Sequence, residues 1–215
     1  MSADKSLAIT RIALLRHGIT YGETCFRGST EFSLTQVGLQ QMRNATESMS
    51  GIDHVISSPL SRCHQFATEF ASRCGIELSI NEDFRELDFG DWDGKEKQLV
   101  WNEEQDQLSA FWNDPWHSTP PNGETLKAFD RRVQSAWHKT IRQHQGQSLL
   151  VVTHGGVIKQ ILRSLLEMPR NAFYLQRLNI PFAALVHVSI YQDEAGHLWP
   201  EILFPGFVDK IIPRG

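Results

Sequence analysis

The sequence lacks long apolar runs and any excess of basic residues. Nowhere do about 18 apolar residues follow one another, so no segment is long enough to cross a membrane as a helix. Asp and Glu (25) outnumber Lys and Arg (21), giving a net charge of -4, which excludes a broad basic surface for nucleic acid or anionic membranes. Any anionic ligand must therefore be met by a local cluster of cations.

Cysteine is also scarce. Cys25, Cys63 and Cys74 form an odd set without a C-x-x-C pair, which excludes a disulfide framework and is typical of reduced thiols in a cytoplasmic protein. We expect all three to be buried and inert. The nine histidines show no H-E-x-x-H spacing, so the sequence predicts no metal site and no cofactor. The N-terminal apolar run is interrupted by Thr10 and Arg11, so we expect no signal peptide.

Apolar runs alternate with helical periodicity along the chain. Runs at residues 12–15, 55–56 and 149–152 each precede a helical pattern, and extended segments follow at 182–191 and 198–204. Ser57 and Ser58 are N-cap candidates for the second helix, which should stop at Gly75. We predict a single α/β domain over residues 1–215, with a three-layer α/β/α arrangement and a mostly parallel central sheet.

Residues 91–125 interrupt this alternation. They are rich in Trp, Asn and Pro and show only short helical patterns between Lys95 and Trp112. We predict that they form a lid or insertion within the domain.

Two of the predicted strands end on similar residues. "LLRHG" supplies Arg16 and His17, and "VVTHGG" supplies His154 and Gly155. Because parallel strands share an edge, we expect the two histidines to meet there, next to a helix N-terminus that favours phosphate. Arg62 lies one turn into the second predicted helix, which follows the strand at residues 55–56, and is therefore near the same edge. Each residue alone fits a structural role, but together they predict a site for a phosphoryl dianion.

Six motifs in order carry a family resemblance: "LLRHG", "SLTQVG", "SSPLSRCHQFA", "FRELDFGDWDG", "PNGETL" and "VVTHGGV". Together they resemble the histidine phosphatase superfamily, the phosphoglycerate-mutase-like group, from Ile9 to Val188. "LDFGDWDG" and "AFWNDPWHSTPPNGETLKAF" are most similar to the α-ribazole phosphatases of cobalamin assembly, which remove phosphate from α-ribazole 5'-phosphate. The resemblance implies a phosphoglycerate-mutase-like fold and a small-molecule phosphomonoester as substrate.

The resemblance also implies site roles. His17 would attack phosphorus as a neutral imidazole and form a phosphohistidine. Arg16, Arg62, a protonated His154 and the Gly155 N–H would stabilise the charge on the phosphoryl oxygens. Arginines would supply the positive charge that Mg²⁺ supplies elsewhere.

Glu86, in "RELDFG", occupies the position of the family's acid, and the resemblance implies that it protonates the leaving group and then deprotonates water. Without the resemblance, a surface carboxylate paired with Arg85 would be the simpler interpretation. Asp88, Asp91 and Asp93 are predicted to shape the loop, since Asp-Gly marks a turn.

The chain departs from the family motif R-H-G-E-T. Ile19 replaces the Glu, and Glu23 stands where an Asn usually donates to phosphate. Either Glu23 turns away or is neutralised, with Thr20 or Thr24 donating instead, or the phosphate site is weakened. Arg27 either pairs with Glu23 or reaches the phosphate itself.

Tryptophan is concentrated in the insertion. Trp112 and Trp116 are predicted to stack on the heteroaromatic ring of the substrate, although a Trp in a loop more often anchors that loop. Alternatives to the α-ribazole assignment are a broad phosphatase, a phosphoglycerate mutase or a non-catalytic phosphate-binding module. The insertion holds only Lys95 and Lys97 as basic residues for a substrate carboxylate, which favours a phosphatase over a mutase. No feature of the sequence indicates the oligomeric state.

Overall fold

The computed structural model describes residues 9–22 and 24–204, and a six-stranded sheet lies at its centre. The strands are β1 (Ile9–Arg16), β2 (His54–Ser57), β3 (Glu77–Ile80), β4 (Ser148–Thr153), β5 (Leu185–Gln192) and β6 (Leu198–Leu203). Their order is β3-β2-β4-β1-β5-β6, with the first four parallel and the last two antiparallel to their neighbours. The predicted mostly parallel sheet is confirmed.

Helices cover both faces of the sheet. They are α1 (Gln36–Ala45), α2 (Ser61–Cys74), α3 (Lys97–Asn113), α4 (Leu126–Gln143), α5 (Gly155–Leu165) and α6 (Phe173–Arg177). Successive strand residues alternate between the faces, so Ala13 and Leu15 join the core under α1 and α2. Ile12 and Leu14 join the core under α3, α4 and α5. This arrangement confirms the predicted three layers.

The start of α2 differs from the prediction. Ser57 belongs to β2, and the N-cap residue is Leu60, whose side chain makes no cap hydrogen bond. The carboxylate of Glu31 takes that role, accepting from the N–H of Ser61 at 3.0 Å and from its hydroxyl at 2.5 Å. A cap supplied by a distant loop leaves no local pattern. The helix ends as predicted at Gly75, whose φ is +66°.

The segment predicted as a lid is helical over about half of its length. α3 spans Lys97–Asn113, but non-helical backbone at Glu104 (φ -134°, ψ 36°) divides it into two shorter helices, in agreement with the short helical patterns expected between Lys95 and Trp112. Val100, Leu108 and Phe111 are buried in the core under α3, α4 and α5. The segment is thus anchored to the sheet, and its role as a lid remains a prediction.

The three thiols have different environments. Cys63 is buried, Cys25 is partly exposed and Cys74 is exposed, so the expectation of three buried thiols is wrong. Cys74 is the last residue of α2, where its side chain faces outward. Among the helices of the described residues, none has the length and apolar character needed to cross a membrane.

Candidate active site

The carboxyl ends of β1 and β4 meet at one edge of the sheet. Arg16 pairs with Thr153 in the parallel register, and the N–H of His17 donates to the carbonyl of Thr153 at 3.0 Å. The imidazoles of His17 and His154, one residue beyond each strand, therefore lie edge to face with ring centroids 5.3 Å apart. The predicted meeting of the two histidines is confirmed.

The surroundings of His17 define its protonation. Its Nδ1 lies 2.8 Å from the carbonyl oxygen of Gly18. Because a carbonyl oxygen can only accept a hydrogen bond, Nδ1 carries the proton and donates, and the free lone pair is on Nε2. The residue is 3% exposed. Burial and then Arg62 lower its pKa well below the ordinary value, although the Gly18 hydrogen bond acts in the opposite direction. His17 is thus a neutral imidazole with one available nitrogen.

His154 is held from both sides. Its Nδ1 accepts from Nε of Arg62 at 3.3 Å, so its Nε2 carries the proton and donates to Oγ of Ser58 at 2.7 Å. Burial, followed by Arg62 and His17, lowers its pKa well below the ordinary value. The expectation of a protonated His154 is therefore wrong for the free site, where a guanidinium N–H faces the nitrogen that would take the second proton.

Arg62 is fully buried and organises a neighbouring loop. Its Nη1 donates to the carbonyl of Thr30 at 2.9 Å, and its Nη2 donates to the carbonyl of Gly28 at 2.6 Å. The N–H groups of residues 28–30 donate in turn to the carboxylate of Asp93 at 2.6–3.2 Å. Asp93 shapes the loop, as predicted, and holds the carbonyls that orient Arg62.

Arg16 lies over the start of α5. Its Nη1 donates to the carbonyl of Ile180 at 2.5 Å, and its guanidinium lies 4.2 Å from the ring centroid of Phe182. A Cβ added to Gly155 would lie 3.4 Å from Nε of Arg16, and that Nε is buried without a partner among the described residues. Burial lowers the pKa of Arg16 from its ordinary value, while Glu86 acts in the opposite direction. Its charge is kept, because arginine titrates far above neutral pH.

The carboxylate of Glu86 reaches the same helix N-terminus. Its Oε2 accepts from the N–H of Gly156 at 2.9 Å, and its Oε1 accepts from the N–H of Leu87 at 3.0 Å. Arg85 is instead paired with Glu82, through its backbone carbonyl at 3.2 Å and its carboxylate at 3.8 Å. Glu86 thus lines the site beside Arg16, as the resemblance implies, and not as part of an Arg85 pair.

A cavity of about 300 Å³ lies beside Arg16, Glu86 and the first residues of α5, whereas His17, Arg62 and His154 are not among its described lining residues. Its polar wall consists of Arg16, Arg27, Glu86, Lys97, Lys159 and Asn179. Aromatic side chains that line it include Phe89, Phe111 and Trp112. Four cations and one carboxylate make the cavity suited to an anionic ligand that also carries an apolar ring.

Trp116 does not line this cavity. It is 5% exposed, and the guanidinium groups of Arg163 and Arg170 each lie 5.5 Å from its ring centroid. Of the two tryptophans predicted to stack on a substrate, the structure brings only Trp112 to the cavity. Trp116 anchors the segment after α3, the alternative that the sequence left open.

Thr20 and Arg27 have separate surroundings. Thr20 is buried, it is absent from the cavity wall, and its Oγ1 has no hydrogen-bond partner in the described part of the chain. Arg27 lines the cavity, where its Nη2 donates to the carbonyl of Gly22 at 2.6 Å. Glu23, on which the predicted pairing depends, lies outside the described residues.

The sequence matches the Histidine phosphatase superfamily (branch 1) over residues 12–199. The chain belongs to this superfamily. Within residues 9–22 and 24–204, no three or more His, Cys, Asp or Glu side chains are grouped to hold a metal ion.

Relatives of this superfamily member include proteins with named activities. The adenosylcobalamin/alpha-ribazole phosphatase of Escherichia coli is 30% identical over 173 residues, which cover 79% of this chain and 85% of that protein. A bifunctional protein of Mycobacterium tuberculosis is 33% identical over 194 residues, 86% of this chain. The chain spans about half (52%) of that protein's length. The alpha-ribazole phosphatase of Shigella flexneri superposes with a TM-score of 0.75 at 27% identity, covering 90% and 95% of the two chains.

Some residues of this histidine phosphatase site were not predicted from the sequence. The sequence pattern indicates Ser58 only as a helix cap, although it lies just after the carboxyl end of β2, where a polar side chain reaches the same edge. Lys159 follows Gly155 by four residues and therefore shares its helical face. Its Nζ donates to the carbonyl of Leu175 at 2.5 Å, and burial lowers its pKa while Glu86 acts in the opposite direction. Phe182 comes from the loop before β5 and has no local pattern.

Proposed function

We propose that this chain is a phosphomonoester hydrolase that works through a phosphohistidine on His17. The observation that carries the proposal is the hydrogen bond from Nδ1 of His17 to Gly18, which leaves Nε2 unprotonated beside Arg16 and Arg62. A neutral imidazole is a nucleophile at physiological pH, and fixed guanidinium groups stabilise charge on a transferring phosphoryl group.

In the first step, the lone pair on Nε2 of His17 forms a bond to phosphorus in line with the ester bond. The P–O ester bond breaks, and its electron pair goes to the leaving oxygen. The protonated carboxyl of Glu86 gives its proton to that oxygen, and the alcohol departs. Arg16 and the N-terminus of α5 stabilise the equatorial oxygens.

In the second step, the carboxylate of Glu86 takes a proton from water while the water oxygen bonds to phosphorus. The N–P bond breaks, inorganic phosphate leaves, and His17 returns to its neutral form. Glu86 has regained the proton it gave, so the cycle consumes one water and needs no other reactant.

For the substrate, we propose α-ribazole 5'-phosphate, in cobalamin assembly. The similarity to alpha-ribazole phosphatases of two bacteria supports this choice, as do Phe89, Phe111 and Trp112 on the cavity wall, which offer stacking partners to a benzimidazole. The second candidate is a phosphoglycerate mutase, because Lys97 and Lys159 line the same cavity and suit a substrate carboxylate.

Two experiments test the function. Turnover of a radiolabelled phosphomonoester, quenched in alkali, should leave an alkali-stable, acid-labile label on the wild type and on His138→Ala, an exposed control. His17→Ala should carry none, and a wild type that neither labels nor releases phosphate would contradict the hydrolase.

A panel of α-ribazole 5'-phosphate, ribose 5-phosphate and 3-phosphoglycerate tests the substrate. We expect kcat/KM for α-ribazole 5'-phosphate to exceed that for ribose phosphate by about tenfold or more, since each aromatic contact adds about 0.5–1.5 kcal/mol. Similar kcat/KM values for all the phosphomonoesters would contradict the α-ribazole assignment without contradicting the hydrolase activity. Transfer of the phosphoryl group to glycerate would favour the mutase.

A further inference from the structure

The backbone that carries Glu86 is irregular, and side chains from two other elements hold it. Nη1 of Arg132, in α4, donates to the carbonyls of Asp83 and Arg85, both at 2.8 Å. Its Nη2 donates to the carbonyl of Glu86 at 2.9 Å. The remaining carbonyl, that of Phe84, accepts from Oγ1 of Thr153 at 2.9 Å. All four carbonyls from 83 to 86 are thereby fixed.

Arg132 is itself oriented by Glu124. Their side chains form a bidentate pair, Nε to Oε1 and Nη2 to Oε2, each at 2.8 Å. The two side chains are only 16% and 18% exposed, so the pair is shielded from solvent. The N–H of Glu124 donates to the carbonyl of Asp88 at 2.9 Å, which ties the pair to the other end of the Glu86 segment.

We propose that Arg132, oriented by Glu124, is a positioning residue for Glu86 and sets the efficiency of proton transfer to the leaving group. The inference rests on the proposed function, in which Glu86 is the acid. The Glu86 carboxylate contacts only two backbone N–H groups in the described structure, so the location of its backbone decides whether the proton lies within reach of the leaving oxygen. Misplacing a reacting group by about 1 Å costs about a hundredfold in rate.

If Arg132 had only a structural role, its loss would lower kcat for all substrates alike. If it positions Glu86, the loss of kcat depends on the leaving group of the substrate. The p-nitrophenolate ion leaves without a proton, while an alkoxide such as that of ribose 5-phosphate needs one. Arg132→Ala should therefore lower kcat for ribose 5-phosphate by about a hundredfold and kcat for p-nitrophenyl phosphate by less than about fivefold, with KM changed by less than about threefold.

Conservative variants sharpen the test. Arg132→Lys keeps the charge but loses the planar fork, so it should not restore the ribose 5-phosphate rate. Glu124→Gln should show a smaller loss with the same leaving-group dependence. Arg131→Ala, an exposed neighbour on α4, should match the wild type with both esters. If Arg132→Ala does not fold, as judged by circular dichroism, Arg132→Lys and Glu124→Gln supply the same comparison.

Equal losses with both esters, or no loss, would overturn the positioning role. In a Glu86→Gln background, Arg132→Ala should cause no further loss with ribose 5-phosphate, and an additive loss would also overturn it. Failure of the proposed function is seen separately, as a wild type that neither labels His17 nor releases phosphate.

Discussion

Arg62 donates from Nε to Nδ1 of His154 over 3.3 Å, and this contact fixes which nitrogen of His154 holds its proton. A second proton on His154 would face a guanidinium N–H. Both imidazoles of the free site are therefore neutral, and the positive charge beside them comes from arginines such as Arg16 and Arg62.

The imidazoles of His17 and His154 predict a loss of stability in acid. Their pKa values are lowered in the folded chain, so below about pH 6.5 the unfolded chain binds protons that the folded chain does not. The free energy of unfolding should fall as pH drops below that value, by up to about 1.4 kcal/mol per pH unit for each histidine. Urea unfolding across this range measures the slope. His154→Gln should reduce it, and a slope equal to that of the wild type would contradict the assignment.

Asp93 should matter for both stability and phosphate affinity. Its carboxylate accepts from the N–H groups of residues 28–30 and of Phe89, and this loop supplies the acceptors of Arg62. Asp93→Ala should lower the free energy of unfolding by about 2–6 kcal/mol, since it removes these four hydrogen bonds and each typically contributes about 0.5–1.5 kcal/mol. It should also raise the inhibition constant of inorganic phosphate. Asp91→Ala, which removes one exposed contact to Asn122, is the control, and equal effects would refute the prediction.

Substitution of the two tryptophans should affect different properties: Trp112 the substrate preference, and Trp116 the stability of the fold. Trp112→Ala should reduce the preference for α-ribazole phosphate over ribose phosphate by about two- to tenfold, because it removes one aromatic contact on the cavity wall. Trp116→Ala should leave that preference unchanged and lower the free energy of unfolding by about 3–5 kcal/mol, as expected for a buried Trp. Paired kcat/KM and unfolding measurements decide, and unchanged selectivity in Trp112→Ala would remove the stacking role.

Gly156→Ala should impair proton transfer more than folding. A Cβ at this position would lie 2.2 Å from Oε1 of Glu86, and that oxygen ends a flexible side chain, so the carboxylate moves while the helix stays. The free energy of unfolding should change by less than about 1 kcal/mol. The kcat for ribose 5-phosphate should fall about tenfold or more, with a smaller loss for p-nitrophenyl phosphate. Unfolding curves and the two rates provide the check, and a lost fold or an unchanged rate would contradict this reasoning.

The thiols should react at different rates. Burial raises the pKa of Cys63 to about 12, so a disulfide reagent should modify it only after unfolding. Cys74 is exposed and should react at once, whereas Cys25 lines the cavity and should react more slowly when inorganic phosphate is present. Mass spectrometry with Cys74→Ser as the control assigns each site. Early modification of Cys63 in the folded protein would show that its burial is wrong.

The sequence predicts the sheet edge that holds His17 and His154, because that edge depends on local patterns. Short apolar runs ending at His17 and at His154 identify parallel strands, and parallel strands bring their carboxyl ends together. Arg62 follows from helical spacing, and the contact of Asp93 with Phe89 in its own loop follows from the Asp-Gly turn. Each of these predictions needs only neighbouring residues and one rule about sheets.

Contacts between distant segments could not be predicted in the same way. Glu31 caps α2 from another loop, and Arg132 holds the Glu86 segment across 46 residues of sequence. Neither contact produces a periodic pattern in the sequence. The prediction for Trp116 depends only on the concentration of tryptophan in the insertion, whereas its observed partners, Arg163 and Arg170, lie on and after α5.

The hydrogen bond between Nδ1 of His17 and the Gly18 carbonyl would limit the proposed phosphorylation of His17 to a single regioisomer. Only the ring nitrogen remote from the main chain has a lone pair to offer, so the covalent adduct would carry phosphorus there and at no other atom. A digest of the trapped protein would then yield one positional isomer of the modified residue, whichever ester had supplied the group.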